Sequence, residues 1–160
     1  MSGTLLHPRL ARTTVILYWT CIGLGLAIPW IAVILVDFFK HHQSIAQALY
    51  QWRLHLFAPG HNLFLVGLLN AVPFVLLAFF LLLHLGLTSS QSLSLARRRM
   101  MGAATAAAGA IGLSAWVHIT TLWFPDAQGA LVYMFLPIGL TGFLPVGYAV
   151  GRGLGRLLER

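Results

Sequence analysis

Charge is what this chain has least of. Of its 160 residues only three are acidic, Asp37, Asp126 and Glu159, and charged residues of both signs make up 8%. A soluble domain usually carries about 25%. In water, such a chain would expose apolar patches large enough to drive aggregation, so a soluble globular fold is excluded. The chemistry that acids supply is missing as well. There are no paired carboxylates, no Ser–His–Asp order, no phosphate-cradling glycine loop and no acid inside an apolar run to drive cation-coupled export. Cysteine is almost absent. Cys21 alone excludes an internal disulfide, a CxxC pair and a cysteine-rich zinc site, and it reads as a small buried hydrophobe. The N-terminal stretch lacks a short apolar core with a small-residue cleavage site, so no removable signal peptide is expected.

Apolar sequence fills the space that charge leaves: 59% of the residues are hydrophobic. A membrane span needs about 20 largely apolar residues. Four windows qualify, over about 14–36, 63–87, 101–124 and 130–150. In a bilayer the backbone must satisfy its own hydrogen bonds, so each window is expected to be a helix. Strands of a membrane barrel would alternate in polarity, and these runs do not. The expected fold is all-α: a polytopic membrane protein forming one four-helix transmembrane domain over residues 1–160.

The net charge of +7 does not point to nucleic acid, because the basic residues sit at the edges of apolar runs rather than on one folded face. Arg9, Arg12, Arg97, Arg98, Arg99, Arg152, Arg156 and Arg160 fall on one side of the four-span layout, and only Lys40 and Arg53 on the other. The positive-inside rule places both termini and the Arg97–Arg99 loop in the cytoplasm, and the bacterial inner membrane is the expected location. The three arginines read as a topology anchor that can also hold anionic lipid headgroups.

Between the first two windows, Ile45, Leu49, Trp52 and Leu56 recur at helical spacing. With Tyr50 and Phe57 they predict an amphipathic helix over about 43–57 lying in the outer interface, closed by Pro59-Gly60. Before the fourth window, Pro125 ends a helix, Asp126 is placed to cap the next one, and Gly129 relieves the turn.

Gly102, Ala106 and Ala110 form a small-xxx-small ridge on the third span, and Gly109 adds to its small surface. Its expected partner is the second span, through Phe74, Phe79 and Phe80. The glycines from Gly151 to Gly155 read as a flexible helix end. Pro29, Pro73, Pro137 and Pro145 each leave a carbonyl four residues earlier without its helical donor, namely those of Gly25, Leu69, Tyr133 and Thr141.

Ionisable residues inside a membrane mark functional sites by default. His84 and His118 invite a haem held by two imidazoles, but counting along antiparallel spans separates their heights by roughly 15 Å or more, so bis-histidine haem is not expected. His118 lies level with Asn70 and with Thr120 or Thr121, in the outer half where Pro29, Pro73 and Pro137 fall, below His61, Asn62 and Asp126. His118, Asn70, His61 and Asp126 are therefore the candidate ligand-binding residues. A plain histidine–asparagine bond between spans competes with that reading. Zinc at His61, His118 and Asp126 lacks any fixed ligand spacing. Two functions follow: a non-catalytic accessory or structural subunit of a larger membrane complex, or a lipid-, quinone- or small-ligand-binding protein, transporter or enzyme, built around His118 and Asn70. The expected partners are membrane lipids and other membrane subunits or further copies of this chain.

Overall fold

In the computed structural model, which describes residues 8–59, 62–86, 93–126 and 129–158, the chain is all-helical. Its helices are α1 (Pro8–Phe39), α2 (Ile45–His55), α3 (Leu63–Gly86), α4 (Leu93–Trp123) and α5 (Gly129–Leu157). All except α2 are long and apolar enough to cross a membrane, over Arg12–Phe39, Leu63–Leu83, Ser94–Trp123 and Leu131–Leu157. At most 44% of the apolar window of any of these helices is buried inside the chain. Most of the apolar side chains therefore face outward, as lipid requires.

Two helices run past their apolar windows. Arg97, Arg98 and Arg99, expected in a loop, lie in the second turn of α4. Leu, Ala and Arg are good helix formers, and no glycine or proline interrupts the run between Leu93 and Gly102. At the other extreme, α5 continues to Leu157 through the glycines expected to be a flexible end.

That continuation has a packing cause. A methyl group placed on Gly151 would come within 2.6 Å of both the Met101 carbonyl and Thr105 Oγ1, and one on Gly147 within 3.0 Å of Ala106 Cα. Gly147, Gly151 and Gly155 recur every fourth residue, so they form one ridge lying directly on the small residues of α4. Phe143, one turn earlier, fills the space above Gly109, where a methyl would meet its ring at 2.6 Å. Gly102, Ala106, Gly109 and Ala110 are thus used within the chain, and their main partner is α5 rather than α3. The phenylalanines of α3 go elsewhere. Phe74 is fully buried against Gly25 of α1, Phe79 is exposed, and Phe80 meets the Tyr148 ring of α5 edge-on at 5.3 Å.

The four long helices form a ring in which α1 adjoins α3 and α4, and α5 completes the circuit between them. Although consecutive in sequence, α3 and α4 meet only across the diagonal of the ring, less closely than any adjacent pair. One end of the ring carries Arg12, Arg97–Arg99, Arg152 and Arg156; the other carries α2, with Arg53. Ser44 starts α2 with a reciprocal cap, its hydroxyl accepting from Gln47 N–H while Gln47 Oε1 accepts from Ser44 N–H. This is the capping-box arrangement. The helix turns the buried Ala48 and half-buried Trp52 inward, Trp52 lying 6.1 Å from the Trp30 ring of α1. Ile45 and Leu49 of the expected apolar stripe are exposed, with Tyr50 and Leu54 beside them. Lys40 closes this end by donating from Nζ to the Trp123 carbonyl at 2.6 Å, at the C-terminus of α4.

Candidate functional site

Three buried polar residues of the spans, Asn70, Ser114 and His118, gather in one region of the bundle. Pro29 has no N–H to offer the Gly25 carbonyl, and Asn70 supplies the missing donor: its Nδ2 reaches Gly25 O at 2.7 Å. Asn70 Oδ1 accepts from the Ser114 hydroxyl at 2.8 Å. One turn on, His118 Nδ1 lies 2.8 Å from the Ser114 carbonyl, and its ring is 5.4 Å from that of Tyr133 on α5. Asn70, Ser114 and His118 are each no more than 2% exposed. The layer therefore ties α1 to α3 and α3 to α4 by hydrogen bonds, and brings α5 against α4 by ring contact.

Sequence reasoning pairs His118 with Asn70, and the structure joins them through Ser114, which that reasoning passes over. The available signal was its position, one turn before His118 on the same face and in line with the buried Ala103, Ala107 and Ala110. Thr120 turns back to its own helix, donating to the carbonyls of Trp116 and Val117, while the Thr121 methyl faces Gly129. Asp126 is exposed and lies three residues before α5, where its backbone carbonyl accepts from Gly129 N–H at 3.0 Å. The residue at the capping position itself, 128, lies outside the described residues, as does His61. Asn62 caps α3 through Oδ1, which accepts from Leu65 N–H at 3.0 Å.

The backbone separates the two span histidines. Asn70 and Ser114 are level because they are bonded; His84 lies 14 residues from Asn70 toward the arginine end, and His118 lies one turn from Ser114 the other way. At 1.5 Å per residue their levels differ by about 27 Å, too far for one haem to bridge. The His84 side chain lies outside the described residues. Among the described residues no three of His, Cys, Asp and Glu gather at metal-binding distance.

At the level of this layer an apolar groove of about 540 Å³ runs between α4 and α5, lined by Leu113, Val117, Leu136 and Leu140, and none of Asn70, Ser114 and His118 lines it. A cleft of about 370 Å³ at the α2 end is lined by Asp37, Gln43, Gln51 and His55, with Val33, Leu63 and Leu122 as its apolar share. Asp37 Oδ1 there accepts from His41 Nδ1 at 3.1 Å. No family model, curated protein or solved structure matches the chain. The functional reading therefore rests on the chain's own geometry.

Proposed function

We propose that this chain is a non-catalytic structural or accessory protein of the bacterial cytoplasmic membrane, with both termini in the cytoplasm and α2 lying in the outer interface. The observation that supports it is the state of the buried polar layer. Asn70 uses both ends of its amide on the protein itself, and His118 is sealed against Tyr133 at 1% exposure. Side chains that meet substrate keep a free hydrogen-bonding position facing a cavity, whereas both ends of the Asn70 amide and His118 Nδ1 are engaged within the chain. The chain then acts through its surface, on lipid and on neighbouring membrane proteins or further copies of itself. The small-residue ridge of α4 is occupied by α5, so any neighbour docks on another face.

Solubilisation in a gentle detergent tests this. A stoichiometric membrane partner should co-migrate, fall in abundance when this chain is deleted, and remain bound after His118→Ala. A monomer whose deletion changes no other membrane protein would count against the proposal, as would a small ligand lost with His118→Ala. For the orientation, tags on both termini should be unreachable from the periplasm of intact cells.

The polar cleft under α2 favours a second reading, a small polar ligand held by Asp37, Gln43, Gln51 and His55 rather than by the His118 layer. A ligand that survives His118→Ala but is lost with Gln51→Leu would decide for it.

A further inference from the structure

Between α3 and α5, Leu76, Leu77, Phe80, Leu144, Pro145 and Tyr148 line an apolar groove of about 300 Å³. Tyr148 stands at its arginine end, and the Arg152 guanidinium lies 5.8 Å from the Tyr148 ring centroid. Arg152 packs on α4, where a methyl on Gly102 would meet its Cγ at 2.9 Å. Arg99 lies one turn before Gly102 on the same face of α4. By helix register Arg99 and Arg152 thus belong to one level of the bundle, and the Arg152 guanidinium lies beside the mouth of the groove.

Part of each guanidinium lacks an acceptor within the chain. Arg99 Nε and Nη1 and Arg152 Nε are buried and make no hydrogen bond. A buried charged donor without an acceptor is costly, so these nitrogens call for an anion. The protein offers none nearby among its described residues: Asp37 and Asp126 belong to the opposite end, and Glu159 lies outside the described residues. Guanidinium forks match phosphate oxygens in shape and charge. An apolar groove opening beside them suits a hydrocarbon tail on the same molecule.

We propose that this groove binds one anionic phospholipid, its phosphate accepting from Arg99 and Arg152 and one acyl chain lying along Leu76, Phe80 and Leu144. The headgroup chemistry alone is shared by free phosphate; the groove commits the site to lipid. Basic pockets between membrane helices hold anionic headgroups by this combination.

The test is native mass spectrometry of the full chain in mild detergent, titrated with phosphatidylglycerol or with phosphatidylcholine of the same acyl chains. One phosphatidylglycerol should be retained, about tenfold or more tighter than phosphatidylcholine. Arg99→Gln combined with Arg152→Gln should remove that preference, whereas the exposed Arg156→Gln should leave it within about twofold. Leu76→Trp, which fills the groove and keeps every charge, should weaken retention of phosphatidylglycerol about tenfold. If the double arginine variant does not fold, Arg152→Lys takes its place, keeping the charge but losing the fork, and should weaken retention. Equal retention of the two lipids would overturn the proposal. So would full displacement of lipid by millimolar inorganic phosphate, or a Leu76→Trp protein that binds as the parent does, since either would reduce the site to an anion contact.

Discussion

Asn70 Nδ2 donates to the carbonyl of Gly25 at 2.7 Å, and Gly25 is the residue whose carbonyl Pro29 leaves without a helical donor. The proline and the asparagine lie on different helices, yet they answer one another. An unsatisfied backbone carbonyl inside a membrane costs several kcal/mol. A side-chain amide from a neighbouring span removes that cost and fixes the two helices in height. Ser114 takes the other end of the same amide, so the register of α1, α3 and α4 follows from one side chain.

The glycines of α5 should divide sharply by position. Gly151→Ala places a methyl 2.6 Å from the Met101 carbonyl, which lies on a rigid helix backbone, and should destabilise the bundle by about 1–3 kcal/mol. Gly153, two residues on, has nothing within 4 Å of its added methyl. Gly153→Ala should be neutral or stabilise by up to about 1 kcal/mol through helix propensity. Unfolding in mixed micelles with increasing denaturing detergent measures both, and equal effects would contradict the ridge.

Lys40 links the end of α1 to the end of α4. Its ammonium donates to the Trp123 carbonyl, a group the helix itself leaves open, and it complements the negative end of the helix dipole. Lys40→Met should cost about 1–2 kcal/mol. Hydrogen exchange should show the amides of the last turn of α4 losing protection while those near Ala106 keep theirs. Unchanged exchange at Thr121, Leu122 and Trp123 would show that the contact carries no weight.

A parallel test applies to α2, a short helix that needs its cap. Ser44→Ala removes the hydroxyl that accepts from Gln47 N–H and should cost about 1 kcal/mol. Exchange should accelerate across Ile45–His55 and leave α1 unaffected, because α2 packs through few buried residues, chiefly Ala48.

Apolar window length made the four long helices legible, since each had to close its own backbone bonds. Counting residues along antiparallel spans put His118 level with Asn70, but the residue level with Asn70 is Ser114, one turn from His118. Partner choice was not. The small face of α4 says that something comes close, but Gly147, Gly151 and Gly155 on α5 look like a flexible tail until a partner surface of the right shape is known. Helix ends were also hidden, because Arg97 to Arg99 are polar by composition and helical by propensity. Ser114 escaped because a lone serine among alanines carries no pattern; only the amide facing it gives it a role.

A double-mutant cycle on Pro29 and Asn70 is the most direct test that the buried polar groups serve the fold. Pro29→Ala restores the N–H that Gly25 O lacks, so Asn70→Ala should cost about 1 kcal/mol less in the Pro29→Ala background than in the parent. Unfolding free energies in micelles supply all four corners. Costs that simply add, to within about 0.3 kcal/mol, would mean that Asn70 is not engaged by the freed carbonyl, and the structural account of the layer would be wrong.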